Sequence, residues 1–475
     1  MMFLRRPFSK LIPMVLGVVL WSTTGVPKAC AAPSAAQTWK AGVGRTVITP
    51  EQPLWMAGYA SRNHPAVGTL HALWVKALAL EDADGHRAVL VTTDLLGLPK
   101  GISDHVRARL EEAYHLQRDQ VMLTSSHTHS GPVLQNALSD IYPLGEERKA
   151  KIDHYSRVLE RRIVATVGEA LGNLAPAQLF AGMGIARFAV NRRNNDAAEV
   201  TSVTDRALEG PTLNSVPVLK VERPGGQLLA VAFGYACHNT VLSGYKWSGD
   251  YAGFAQLALE KRHPGATALF FAGAGADQNP LPRRSVALAW QYGQELAVAV
   301  ERVLKEPMRT LAPQLTTSYS EIDLALTEPP TREELRAIAE ERSGFHRRWA
   351  LRLLRKLDRD APLRREYPYP IQAWQLGEQT LVALGGEVVV DYAFRLKRLF
   401  GEDLFVIAYA NDVMAYIPSA RVLREGGYEA VTSQRVYGLP STWAASIEGR
   451  IIQEVRRLIT EELGIPLPQQ KQSEP

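Results

Sequence analysis

Short apolar runs rich in Val, Ile, Leu and Phe alternate with stretches of helical period along most of the chain, the patterning of an α/β protein. The run from Ala41 to Thr49 reads as a strand stopped by Pro50. His71–Leu80 and Ala88–Asp94 flank an Asp84-Gly85 turn signal and predict a hairpin. Val106, Leu110 and Tyr114 recur every four residues, which predicts a helix over 103–115 with Ser103 as its N-cap. Further helices are expected near 150–171, 285–305 and 441–463, and Thr331 with Glu334 forms a capping box opening a long one. The apolar runs Val121–Leu123, Leu228–Ala236, Ala266–Phe271, Leu315–Thr327, Thr380–Leu384 and Phe405–Tyr409 read as strands. The fold class expected is α/β: mixed β-sheets flanked by helices, with the site at strand ends and a single catalytic domain.

Several of these strands run into chemically distinctive loops. The first leads into Ser125-Ser126-His127-Thr128-His129-Ser130-Gly131-Pro132. If the strand continues, alternation turns His127 and His129 to the same side, suited to a metal site or to a ligand beside a general base. Hydrogen-bonding histidines in an ordinary loop are the alternative. A second strand ends on Cys237-His238, which would point to opposite faces, so Cys237 reads as a small buried hydrophobe rather than half of a thiol-imidazole dyad. A third opens into Ala272-Gly273-Ala274-Gly275-Ala276-Asp277-Gln278-Asn279-Pro280, where glycines permit close backbone approach and the prolines argue against a phosphate loop. A fourth delivers Gly385-Gly386-Glu387, a carboxylate that is costly after a buried strand unless paired or coordinated. Asp94 at another strand end is either a cap or sheet-edge residue, or a group holding an imidazole, and Asp250 suits a helix cap.

Composition narrows the picture. With 475 residues and 46% apolar content the chain can bury a large core. Arg5, Arg6 and Lys10 precede an apolar stretch, Leu11–Trp21, and then Ala29-Cys30-Ala31, which together read as a signal peptide cut after Ala31. Lipid anchoring at Cys30 is the less favoured reading. Residues 1–31 hold four basic residues and no acid, so their removal lowers the formal charge from +5 to +1, and no electrostatic case for nucleic acid remains. Only Cys237 would then be left, so no intrachain disulfide is expected. No later stretch is long and apolar enough to cross a membrane. The 331–360 segment is basic, with Arg347-Arg348-Trp349 and Arg355-Lys356. It reads as a solvated helix face, with peripheral contact to an anionic membrane as the alternative.

Ser-His-Thr-His-Ser-Gly-Pro (126–132) resembles the signature of the neutral/alkaline non-lysosomal ceramidases, zinc amidases that cleave the N-acyl bond of ceramide. Similar elements succeed it in order: Val190-Asn191-Arg192, Tyr235–Gly253 with Ser248-Gly249-Asp250, 270–280, and 385–428 with Tyr416 and Tyr428. The resemblance places a ceramidase-like catalytic domain at 32–465, before a polar tail at 466–475. It departs from the family at Asn279, where proven ceramidases usually carry a serine, and in having only that tail where larger members carry an immunoglobulin-like domain.

Carried over residue by residue, the resemblance implies that His127, His238, Glu387 and Tyr416 bind one Zn²⁺. It implies His129 and Tyr428 as general base and acid or oxyanion donors, Arg192 as a substrate-orienting group, and Asp277 and Asn279 as substrate contacts. These residues support three expectations. One is a secreted or periplasmic zinc amidase acting on ceramide or a related N-acyl lipid. The second is a metal-dependent amidase or esterase acting on a smaller, more polar substrate, and the third is a metal-containing binding protein without turnover.

Overall fold

Eight of the strands before residue 273, joined by Arg309–Leu311, pair into one nine-stranded sheet, seen in a computed structural model that describes residues 38–198, 200 and 208–467. Its order runs Thr267–Ala272, Leu228–Tyr235, Ser215–Glu222, Ala175–Ile185, Trp39–Val47, Trp74–Glu81, Arg87–Thr93, Val121–Ser125, with Arg309–Leu311 also paired to Ala175–Ile185. The outermost pair at each edge is parallel and the pairs between are antiparallel. The expected hairpin is present, with Val75 opposite Thr93 and Glu81 opposite Arg87.

Alternation along each strand decides what lies on either face. Val75, Ala77 and Ala79 pack with Val89 and Val91 against the helices Lys100–Tyr114 and Glu146–Gly172 through Val106, Leu159 and Ile163. Leu78, Leu80 and Leu90 point the other way, onto Trp374, Leu381, Phe405 and Ile407 of a second, four-stranded sheet. That sheet orders Leu315–Ala325, Glu366–Leu376, Gln379–Leu384 and Phe405–Ile407. Each such aliphatic contributes about 1.5–3 kcal/mol by leaving water. Helices Asp250–Arg262 and Val286–Lys305 cover the Leu228–Ala272 end of the large sheet.

The segment 405–411 joins the two edges of the large sheet. Ala408 N donates to Ala272 O at 2.9 Å, at the end of one edge strand, and Asn411 N donates to Leu123 O at 2.7 Å on the other. Loops following Val121–Ser125, Leu228–Tyr235 and Thr267–Ala272 are thereby drawn to one end of the molecule.

Several elements differ from the sequence pattern. The first helix starts at Lys100 behind Pro99, so Ser103 lies buried inside it and is not its cap. Pro99 cannot continue a helix backwards and fits the position before its start. The capping box at Thr331 and Glu334 forms as expected, but its helix ends at Glu341 and a separate one runs Gly344–Leu357. The break is the extended pair Arg342-Ser343, and Gly344 opens the second helix with φ of +62°. In the second of these helices Arg348 donates to Asp140 O and Ile141 O at 2.8 and 2.9 Å, and Arg352 Nη2 lies 2.7 Å from Asp140 Oδ2. Part of the basic face therefore serves internal contacts. Among the described residues no helix is long and apolar enough to cross a membrane. The signal-peptide stretch and most of the polar tail lie outside the described residues.

Asp412, in the loop after 405–411, is buried, and Tyr367 Oη donates to it at 2.7 Å. Burial pushes its carboxyl up to about 7. A raised carboxyl favours the folded state at low pH, and that contribution is lost as pH rises from the unfolded value near 4 through 7. Asp412→Asn removes the titration, so the fall in Tm between pH 5 and pH 8 should be smaller than in the wild type by about 1–3 °C. An equal fall in both proteins in a calorimetric scan would contradict this assignment.

Candidate metal centre and active site

Three imidazoles converge although neither sequence argument for their direction holds. The strand Val121–Ser125 ends before His127, whose φ of +60° is left-handed, so alternation does not align His127 with His129. The strand Leu228–Tyr235 likewise stops before Cys237 and His238. The loops are instead held side by side. Thr128 bridges Asn239 in parallel sense, and His129 N donates to Asn239 O at 3.3 Å. Gly275 lies so near the 236–237 backbone that a Cβ there would sit 2.3 Å from the Ala236 carbonyl carbon.

That approach lets the Gly275 carbonyl accept from His238 Nδ1 at 3.1 Å, as Leu96 O accepts from His127 Nδ1 at 2.7 Å. With Nδ1 committed to a carbonyl, each ring turns its Nε2 inward. Glu387 arrives on a two-residue parallel pairing in which it registers with Tyr416. Its Oε2 stands 3.1 Å from His127 Nε2 and 3.2 Å from His238 Nε2. Tyr416 Oη is 3.2 Å from His238 Nε2, and His129 Nε2 is 3.1 Å from His127 Nε2.

Burial and then Arg192 push His238 down to about 4, so at neutral pH no imidazolium proton lies between it and the carboxylate. Glu387 Oε2 is buried with no hydrogen-bond donor. Burial opposes the Glu387 charge, yet the two histidines outweigh it and hold the carboxyl well below its ordinary range. An anionic oxygen buried against imidazole nitrogens, with no donor in hydrogen-bond geometry to it, is what a bound cation relieves. The donors fit a metal: two anchored imidazoles, one carboxylate and one phenol are the groups that could hold it.

His129 differs from the other two. Its ring packs on Gly58, where φ is +101° and a Cβ would fall 2.4 Å from the imidazole, and its buried Nδ1 has no partner. Ligand imidazoles are normally fixed through the second nitrogen, so His129 is suited to proton handling beside the metal. Burial, with His127 and His238, pushes it well below its ordinary value; it is neutral at pH 7.

A cavity of about 800 Å³ opens onto this cluster, lined by His129, His238, Arg192, Tyr416, Tyr428 and Asn279 among others. Arg192 donates from Nη2 to Tyr416 Oη at 3.2 Å and from Nε to Glu429 at 2.8 Å. Burial works against its charge, but Tyr416 and Glu429 hold the guanidinium well above its usual value. Tyr428 is 45% exposed at the rim, its ring 5.4 Å from that of Tyr416. Burial, then Glu387, pushes its hydroxyl up to about 12. Asn279 lies at the wall, with its Oδ1 3.4 Å from Thr240 Oγ1.

Asp277 does not line the cavity. It is fully buried, and its carboxylate accepts from Val390 N at 2.8 Å and Asn191 Nδ2 at 3.3 Å while its carbonyl accepts from Arg192 N at 2.8 Å. Its geometry positions Arg192 rather than meeting a substrate. Asp94 accepts from Trp74 N and Gln256, and touches no imidazole of the cluster. Asp250, with φ of +55°, lies inside the first turn and accepts from Val241, Leu242 and Tyr251, so it is not the N-cap. Cys237 is free and buried.

Sequence reasoning missed Tyr437, whose hydroxyl donates to Glu387 Oε1 at 2.5 Å, and Tyr409, which stacks on His127 at 4.3 Å. It also missed Glu429, which binds both Arg192 and Arg193. None sits in a run with a chemical signature. Only the Tyr-rich 409–437 interval hinted at them.

Tyr437→Phe should therefore weaken metal affinity about 10- to 100-fold. His127→Ala should abolish stoichiometric metal, while His129→Ala should retain it. Metal analysis after dialysis checks all three; loss of metal in His129→Ala would instead make that residue a ligand.

Comparison with known proteins matches residues 39–279 to the family described as neutral/alkaline non-lysosomal ceramidase, N-terminal. The chain is similar to the neutral ceramidase of Pseudomonas aeruginosa, 28% identical over 230 residues, covering 47% of this chain and 33% of that protein. It is also similar to the neutral ceramidase of Drosophila melanogaster, 26% identical over 236 residues, covering 48% and 32%. The matched region thus spans about a third of the length of these curated relatives. The crystal structure of neutral ceramidase from Pseudomonas aeruginosa aligns with a TM-score of 0.69 at 19% identity, over 91% of this chain and 76% of that one. A structure described as ceramidase complexed with C2 aligns with a TM-score of 0.70 at 18% identity, over 91% and 76%. These alignments show a shared fold. The family match contains His127, His129, Arg192, His238 and Asn279, whereas Glu387, Tyr416 and Tyr428 join the site only in three dimensions.

Proposed function

The chain belongs to the neutral/alkaline non-lysosomal ceramidase family, and on that premise we propose that it is a zinc-dependent hydrolase of an N-acyl amide bond. The observation that carries the proposal is the Glu387 carboxylate oxygen at 3.1 and 3.2 Å from two anchored imidazole nitrogens, at the base of an open cavity. A mixed nitrogen and oxygen donor set favours Zn²⁺ over Mg²⁺ or Ca²⁺, which prefer oxygen alone. Bound there, zinc would supply Lewis acidity toward a carbonyl and make water nucleophilic near neutral pH.

The remaining steps fall to this chain's own residues. His129, neutral and with Nε2 turned into the cluster, accepts a proton from the attacking water and can return it to the leaving nitrogen. Arg192 keeps its charge, is fixed by Glu429, and offers donors where negative charge develops on the carbonyl oxygen. Tyr428 stays protonated at neutral pH and can donate from the rim. Glu429 ties Arg192 to Arg193 and so limits how far the guanidinium can drift.

A substrate smaller and more polar than ceramide is the second reading. Asn279 favours it, because a side-chain amide can donate a hydrogen bond but cannot serve as a hydroxyl nucleophile.

Zinc-loaded protein should release fatty acid from fluorogenic N-acyl substrates. His129→Ala should lower kcat by about 10²- to 10⁴-fold with little change in bound zinc. Absence of turnover on ceramide and on short N-acyl amides alike, with zinc bound, would leave only a binding role.

A further inference from the structure

The charged walls of the cavity are not alike. Arg192 and Arg193 are neutralised by Glu429 and Glu425. Arg283 and Arg284, also on the lining, have no carboxylate within ion-pair distance among the described residues. Arg283 Nη1 reaches only Thr240 Oγ1 at 3.4 Å, and Arg284 Nη1 donates to Tyr59 Oη at 2.9 Å. Two adjacent guanidinium groups repel one another, and burial together with Arg284 lowers the affinity of Arg283 for its proton.

The backbone reinforces the arrangement. Arg284 has φ of +94°, a conformation costly for a side chain of this size, and its N–H is pinned to Val241 O at 2.7 Å. Strain of this kind persists where the surrounding structure dictates a side-chain direction. A third guanidinium, Arg62, is buried beneath Tyr59 at 4.9 Å from its ring, with Nε unpartnered. Tyr59 in turn lies 4.9 Å, ring to ring, from His129. Thr240, which meets Arg283, stands two residues from His238 and contacts Asn279.

The acids nearby do not balance this wall. Asp250 is buried and accepts three backbone N–H groups, from Val241, Leu242 and Tyr251. Asp196 stands exposed at the rim and accepts from Ala198 N at 2.9 Å.

We propose that Arg283 and Arg284 determine substrate specificity by binding an oxyanion, carboxylate or sulfonate in class, carried on the substrate close to the scissile N-acyl amide. Guanidinium forks suit such groups, and ceramide, whose headgroup is an uncharged alcohol, would leave both unpaired. The inference rests on the amidase reading, and its test separates the two.

The probes are N-octanoylglycine and N-octanoyltaurine against the neutral N-octanoylglycinamide, with octanoate release as readout on zinc-loaded protein. In the wild type at least one anionic probe should exceed the neutral one in kcat/KM by about tenfold or more, the worth of one charge-assisted hydrogen bond. In R283Q/R284Q that ratio should fall to about one. Preference for the glycine conjugate alone identifies a carboxylate, and for the taurine conjugate alone a sulfonate. Equal rates on all three in the wild type, or an unchanged ratio in the variant, would overturn the proposal. Arg284 is exposed, so R284Q alone gives the reading if the double variant does not fold. Should none of the probes be cleaved, the amidase reading fails for this class, and calorimetric binding of the same three compounds still decides. Tighter binding of an anionic probe, lost in the variant, sustains the anion site; equal binding removes it.

Discussion

A carboxylate oxygen and imidazole nitrogens turned toward one another, out of water, form the constraint on which the site depends. Glu387 Oε2 is buried there without a partner in hydrogen-bond geometry, a position that a bound cation stabilises. The fold enforces it from several directions. Backbone carbonyls of Leu96 and Gly275 fix the rings from behind, Tyr437 holds the far oxygen of Glu387, and parallel pairing places Tyr416 beside Glu387. These supports come from segments as far apart as Leu96 and Tyr437, so the site exists only where the large sheet and the segment 405–411 hold them together.

The same fold distributes charge unequally around the entrance. Glu429 commits both oxygens to Arg192 and Arg193, which makes that wall rigid and nearly neutral. The opposite balance holds around Tyr59, where arginines meet hydroxyls and carbonyls but, among the described residues, no carboxylate within ion-pair distance. A cavity with one fixed and one unsatisfied cationic surface orients a polar substrate more naturally than a pair of hydrocarbon chains.

Much of the architecture was legible from patterning. The hairpin around Asp84-Gly85, the capping box at Thr331 and the apolar runs that become strands all depend on neighbours within a few residues. Boundaries failed where a few residues overrode the period, at Pro99 before the first helix and at the extended Arg342-Ser343 between two others. The site was legible as a set of residues but not as geometry. Strand alternation would put His127 and His129 on one face, whereas a left-handed residue in a loop brings them together. Asp277 carries a family-like sequence context, yet its carboxylate is consumed by backbone and Asn191. Tyr437 and Tyr409 had no local signal at all, since their roles arise only where distant segments touch.

Zinc K-edge X-ray absorption on the purified, metal-loaded protein probes the central constraint without reference to turnover. The expected spectrum is a shell of nitrogen and oxygen only, at about 2.0–2.2 Å, with the outer scattering of two imidazoles. That signal should vanish in Glu387→Ala. A sulfur ligand, a shell of water oxygens without imidazole, or an unchanged spectrum in that variant would show that the metal does not sit between these residues.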